Sequence, residues 1–390
     1  MLQHLFKLMW NKKRAHGLLI VEILAAFLVL FGVSSLIIKS LRNYNEPIGY
    51  EYKNVWAIDF NSNGANISDS LKIEVLQQVK VRAAAYPEVE ASSWVSNNSP
   101  MAMSSMTNSV EYNKTSISAN SLNVDKDFAK VMGVAVREGR WFDKADESGD
   151  QEVVVINEPL KKALFGEGQA VGKIINEGTK CRVVGVIGNF KPGGEYQENA
   201  LCIFRLAKGQ QQAWTSNLLV KVKPGTDAVF EGKMMKDFGN LAKGWNLDLS
   251  YMEKQRKNQH NLVLVPVIIF LIISGFLLIN VALGLFGILN LSIAKRREEI
   301  GLRRALGATE SGISWQFVGE IWVIATFGLL IGLLFAVQFP LMNVFDLDTS
   351  IYVMAILVSI AVIYGIVTLC AFYPSRQAAT IQPALALHEE

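Results

Sequence analysis

Histidine and cysteine are nearly missing from this sequence, with four and three residues among 390. His4, His16, His260 and His388 lie in the flanks or at the edges of apolar runs, so the polar middle of the chain has no imidazole for acid–base work. None has a cysteine or carboxylate at metal-ligand spacing, and no H-E-x-x-H, G-x-S-x-G or C-x-x-C occurs. No cofactor, metal or enzymatic site is expected in this chain. The pairs Asp125/Asp127 and Asp143/Asp146 stand in helix-start or turn contexts, where capping accounts for them. A disulfide between Cys181 and Cys202 suits an oxidising compartment but has no spacing signature, and it stays open. Cys370 reads as a small apolar packing residue. A phosphate loop is missing too. In "FGEGQAVGK", Gly166 precedes Gly172 by six residues rather than five, and Ile174 follows Lys173, so these glycines read as turns.

Charge is absent from three long stretches, residues 261–294, 321–345 and 349–375, and residues 15–38 carry only His16 and Glu22. Each exceeds the roughly 18–20 residues that cross a bilayer as a helix. Four transmembrane helices follow. The first is too long for a signal-peptide core and is expected to stay as an anchor. Lys7, Lys12, Lys13 and Arg14 precede it, five basic residues lie between spans two and three, and Arg376 follows span four. The positive-inside rule then puts both termini and the charged loop in the cytoplasm of an inner-membrane protein, with the long middle segment outside. The net charge of +3 is explained by topology, and no nucleic-acid partner is expected.

The expected order is a cytoplasmic amphipathic segment at 1–16, a span at 17–39 and an exterior α+β domain at 40–260. A span with a stalk at 261–294, a charged segment at 295–314, spans at 315–345 and 349–375, and a tail at 376–390 complete it. Strand–helix–strand patterns at about 52–97 and 217–251 suggest a ferredoxin-like split βαβ layer with an inserted β-rich subdomain. Ser68 or Ser70 caps the first helix and Asn157 another, with Pro159 in its first turn.

In the segment "AKRREEIGLRRALGATESG", residues 294–312, the carboxylates Glu298 and Glu299 stand among five basic residues. As a helix, the segment sets Glu299 four residues before Arg303, the favourable order for an ion pair. Gly307 is placed as a left-handed cap, Thr309 as the next N-cap and Glu310 in its first turn. Helix, turn, helix is the reading. A topology signal alone needs no acids or caps, and a docking surface for a cytoplasmic partner fits better. Glu22, two turns inside span one, can snorkel.

"RREEIGLRRALGAT", followed by Glu320 in "FVGE", resembles the coupling segment of MacB/FtsX-type ABC transporter permeases. The one-plus-three order of spans and the stretch "VVVINEPLKKALFGEGQAVGKIINEGTKCRVVGVIGNF" are similar to that family as well, with Ala170 where a proline is common. The resemblance implies that Glu298 to Gly307 forms a coupling helix on a cytoplasmic ABC ATPase dimer that carries the ATP and magnesium. Without a Walker A sequence here, that ATPase is expected on a separate subunit. Glu298, Glu299, Arg303 and Arg304 would make polar contacts, Ile300 and Leu306 apolar ones, Gly301 a close approach, with Ala305 and Gly307 completing the motif. Glu320 would pair with a nearby base. A second permease copy or paralogue, the bilayer, and a periplasmic adaptor or outer-membrane channel are the other implied partners. The implied work is mechanotransmission for export or extraction of a peptide, lipid, lipoprotein or antimicrobial. The alternatives are an FtsX-like regulator of a cell-wall hydrolase and a membrane-anchored receptor or scaffold.

Overall fold

The computed structural model describes residues 13–62, 67–342, 344 and 347–380. The segment expected at 1–16 lies outside them except for the backbone of 13–16, and so does the expected tail beyond 380. The chain divides into two compact units, one of Met1–Leu41 with Leu264–Glu390, the other of Arg42–Val263. Helix α1, Lys13–Tyr44, is longer than the span predicted inside it.

The second unit begins with β1 (Val55–Asn61), α2 (Asp69–Ala84) and β2 (Val89–Ser96). Next come β3 (Thr107–Tyr112), β4 (Thr115–Val124), α3 (Phe128–Met132), β5 (Val136–Gly139) and α4 (Lys144–Ser148). β6 (Glu152–Asn157), α5 (Glu158–Phe165), β7 (Ile174–Asn176), β8 (Lys180–Ile187) and β9 (Cys202–Leu206) follow. β10 (Thr215–Val222), α6 (Ala228–Leu241) and β11 (Asn246–Tyr251) end it. The first and last strand–helix–strand units interleave in the order β11–β1–β10–β2, every neighbouring pair antiparallel. Each unit's own strands are therefore parallel to each other and split by one strand of the other unit, which needs the helical crossovers α2 and α6.

Strand alternation decides what each face buries. From β1, Trp56, Ile58 and Phe60 turn to a core with Leu76, Val79 and Phe238 of the two helices. Val55 and Ala57 turn the other way, to Phe128, Phe190 and Phe204. Inserted between the units, β4, β3, β7, β8, β6 and β9 pair in sequence, and β9 pairs back to β4, so this subdomain closes into a ring. Closure removes free edges. Cys181 belongs to the ring's core and Cys202 to the core shared with β1, and both thiols are free and buried. Burial raises both thiol pKa values.

Ser68 accepts from the Leu71 N–H and Asn157 from the Leu160 N–H, the caps expected from sequence. Asp143 and Asp146 form a reciprocal capping box. Asp127 stands at the N-cap of α3 without a side-chain cap bond, and Asp125 takes the Asp127 N–H in the turn before it, at 2.9 Å. Both accept from Lys80 Nζ at 2.6 Å, and Asp125 also takes the Trp94 N–H at 2.9 Å.

Asp146 accepts two hydrogen bonds from Arg140, at 2.5 and 2.8 Å, and these hold its carboxyl below the ordinary value of 3.8 against the opposing effect of burial. A stronger acid in the folded chain means that the unfolded chain binds more protons. The pair's contribution is complete above that ordinary value and drains away as pH falls below it. Asp146→Asn is expected to cost about 1 kcal/mol at pH 7, discounted for the half-exposed Arg140. The difference between variant and parent in thermal unfolding should shrink toward pH 3.

Beyond β11 the chain enters α7, Met252–Lys295, a helix of 44 residues that starts nine residues before the predicted span. α8 (Arg297–Ala305), α9 (Glu310–Ala336), the short α10 (Gln338–Leu341) and α11 (Thr349–Ala379) complete the chain. Among the described residues, four helices are long and apolar enough to cross a membrane. In the bundle, Phe31 of α1 packs edge-on to Phe339 at 5.4 Å, and Thr326 of α9 meets the Tyr364 hydroxyl of α11 at 2.8 Å.

Candidate functional site

The charged segment folds as a bent pair of helices. A nine-residue helix is too short to hold by itself, so α8 depends on what it packs against and how its ends are closed. Its C-terminus is a complete Schellman turn: Ala308 N–H bonds Arg303 O at 3.0 Å, Gly307 N–H bonds Arg304 O at 3.1 Å, and Gly307 has φ +95°. Thr309 then caps α9 through the Gly312 N–H at 3.2 Å. Glu298 and Glu299 lie in the first turn and Arg303 and Arg304 in the last, each favourable to the helix dipole.

Three arginines fasten the bend. Arg296 donates to Glu320 at 2.8 Å in a pair that is mostly shielded from solvent, which accounts for the carboxylate at the base of α9. Arg303 reaches back to Glu299 at 2.5 Å and across to Gln316 at 2.7 Å. Arg304 bonds the Ala308 carbonyl at 3.1 Å and Glu310 at 2.9 Å. The exposed Glu299–Arg303 pair is worth only a few tenths of a kcal/mol, so its value lies more in orientation than in stability.

The predicted residues separate into two faces. Ile300, 4% exposed, and Gly301 turn inward, Ile300 into the same core as Ile313 and Phe317 of α9. Ile300 is therefore spent inside the chain and offers no surface, because a residue one turn from Arg296 and Arg304 shares their inward side. Glu298, Leu302, Ala305 and Leu306 lie outward at i, i+4, i+7 and i+8. Leu306 is 80% exposed and Leu302 52%. Leu302, one of the helix's apolar positions in the sequence, is not among the residues that the family motif carried over, and its spacing of four from both Glu298 and Leu306 puts it on the outward face.

Glu22 is half-buried in α1. Its Oε2 is buried, has no hydrogen-bond partner among the described residues, and lies 3.1 Å from where a Cβ on Gly284 of α7 would stand. A second small-residue contact is more intimate. Gly328 and Gly332, a G-x-x-x-G pair in α9, face Ile23 and Phe27 of α1, and an added Cβ would meet them at 2.9 and 2.5 Å.

Comparison with known proteins covers nearly the same span. Residues 23–230 match the model of the MacB-like periplasmic core domain, more than half of the chain, and residues 271–383 match the FtsX-like permease C-terminal model. A macrolide export ATP-binding/permease protein MacB of Chromobacterium violaceum is 27% identical over 309 residues, covering 72% of this chain and 45% of the relative. Its counterpart in Neisseria meningitidis is 27% identical over 317 residues, covering 76% and 47%. The chain thus spans about half the length of the curated relatives it matches. Among solved structures, the periplasmic region of MacB from Actinobacillus actinomycetemcomitans aligns with TM-score 0.40 and 18% identity, over 56% of this chain and 98% of that one.

Proposed function

The chain belongs to the MacB-like periplasmic core domain family, with an FtsX-like permease region at its C-terminal side, and from that premise we propose that it couples an ABC ATPase to movement of the β-rich unit. The observation that carries the proposal is the outward face of α8. Two exposed leucines and a carboxylate stand on a bend whose other face is locked by Arg296–Glu320, Arg303–Gln316 and buried Ile300. A partner can seat on Leu302 and Leu306 without disturbing the bend, and a push on α8 is passed through those locks to α9.

In this reading both termini and α8 are cytoplasmic, and the β-rich unit is periplasmic. ATP and magnesium belong to the ATPase, which works as a dimer beneath two permease copies. Few polar residues lie in the spanning stretches of the sequence, which favours transmission of motion over a hydrophilic channel. The cargo is a peptide, lipid, lipoprotein or antimicrobial drawn from the membrane or periplasm. Export is favoured over regulation of a wall hydrolase by the relatives' names, which describe macrolide export.

The test is a photo-crosslinking residue at position 306 of the full chain, reconstituted in nanodiscs with a candidate ABC ATPase. The ATPase should be captured from position 306 and not from Gly365 in α11. Capture from neither site, with the ATPase present in the particle, overturns the docking role.

A further inference from the structure

Outside the bend, the β-rich unit holds a cavity of about 200 Å³ that the coupling role does not use. Its wall is formed by the loop after β2, by Pro192 to Gln197, and by the first turns of α7. Among the described residues no charged side chain lines it. Asn98, Ser99, Asn120, Gln197 and Gln259 supply the polar wall, and Leu122 and Met103 much of the apolar one.

Three observations show a prepared site rather than a gap. The Ser99 hydroxyl is buried, on a residue 2% exposed, and has no hydrogen-bond partner among the described residues. A buried hydroxyl without a partner is costly, and this one belongs to a residue of the cavity wall. The loop that carries it is held in strain. Met101 sits at φ +66°, fastened by its N–H to Pro192 O at 2.6 Å. Finally, Gln259 donates its Nε2 to Met101 O at 3.0 Å and Ala102 O at 3.1 Å. Two carbonyl acceptors fix the orientation of that amide, so its Oε1 is the end left to accept.

A donor at Ser99 and an acceptor at Gln259, beside apolar wall and without charge, match one chemical group. A secondary amide brings a C=O for the hydroxyl and an N–H for the Gln259 oxygen. A charged group would lose its hydration here with no counter-charge in return. We propose that this cavity binds an uncharged acyl amide, a peptide-type linkage carried beside a short apolar chain. The site stands whether or not α8 docks an ATPase.

The experiment uses the full chain in nanodiscs without ATPase, and a photoreactive diazirine analogue of N-octanoylglycinamide as probe. Labelling should saturate, map to peptides containing residues 98–105 and 259–262, and fall away when the amide end is replaced by a free carboxylate. Ser104→Trp, an exposed loop position at the wall, should abolish it. Ser99→Ala removes no existing bond, so it should leave thermal unfolding unchanged or raised while weakening labelling about three- to tenfold, the scale of one hydrogen bond. Competition by a neutral dipeptide amide or by an N-acyl ethanolamine tells a peptide source from a lipid one, and competition by neither overturns the proposal. Labelling that does not saturate, that accepts the carboxylate equally, or that survives both substitutions overturns it as well.

Discussion

Gly332→Leu is expected to unseat α1 from α9 and lower the stability of the helical unit by about 3 kcal/mol or more. In an isolated helix, glycine is about 1 kcal/mol worse than a residue with a side chain, so replacement without packing consequences would stabilise. Here the sign reverses. A Cβ at position 332 would stand 2.5 Å from Cδ1 of Phe27, whose ring is fully buried and stacked at 6.5 Å on Phe31. One turn earlier, a Cβ at 328 would meet Ile23 at 2.9 Å and the Ile20 carbonyl at 3.1 Å, and backbone cannot swing aside. Overpacking of this kind costs about 1–3 kcal/mol for a single small group, and leucine adds three more carbons. Gly365→Leu is the control, since nothing lies within 4 Å of a Cβ there. Denaturation of the purified chain in mixed micelles should show a large loss for Gly332→Leu and little for Gly365→Leu. Equal, small effects would mean that α1 and α9 do not rely on this contact.

That glycine pair shows where reading a sequence stops short. G-x-x-x-G at 328–332 is visible as a pattern, but which helix it receives is set by tertiary packing. The caps were legible because they are local. Ser68, Asn157, Gly307 and Thr309 each satisfy backbone groups within five residues, so chain order suffices to find them. The interleaved strand order was suggested by two similar patterns far apart, and the closing of the inserted strands into a ring was not. Contacts such as Asn120–Cys202 join residues with no periodicity in common. Lys191 was silent for the same reason. It is fully buried, and its ammonium is met by the Asn43 carbonyl at 2.7 Å and by Glu46 at 3.4 Å, partners almost 150 positions away. At the bend itself, the family motif implied an outward contact for Ile300, and the structure buries it. The outward face of α8 needed the positions of Ile313 and Phe317, which no local rule supplies.

The second large effect concerns that outward face. Leu302→Asp with Leu306→Asp should cut association with the ABC ATPase by about thirtyfold to almost a thousandfold, taking each buried leucine anchor as worth about 1–2 kcal/mol. Both side chains are exposed, and neither belongs to the buried core, so the chain should fold unchanged. Reversing Arg303 would be a poorer test, because its guanidinium already holds Glu299 and Gln316 and the bend would suffer with the interface. Arg296→Gln gives the complementary case. It leaves the leucines in place but releases Glu320, so the ATPase should still bind while its hydrolysis loses its link to α9. The most direct measurement is the rate of ATP hydrolysis by the ATPase reconstituted with the full chain in nanodiscs, parent against the double leucine variant. The account predicts that the parent changes the rate and that the double variant, folded and inserted, leaves it at the level of the ATPase alone. An undiminished effect of the double variant would contradict the assignment of α8 as the coupling element.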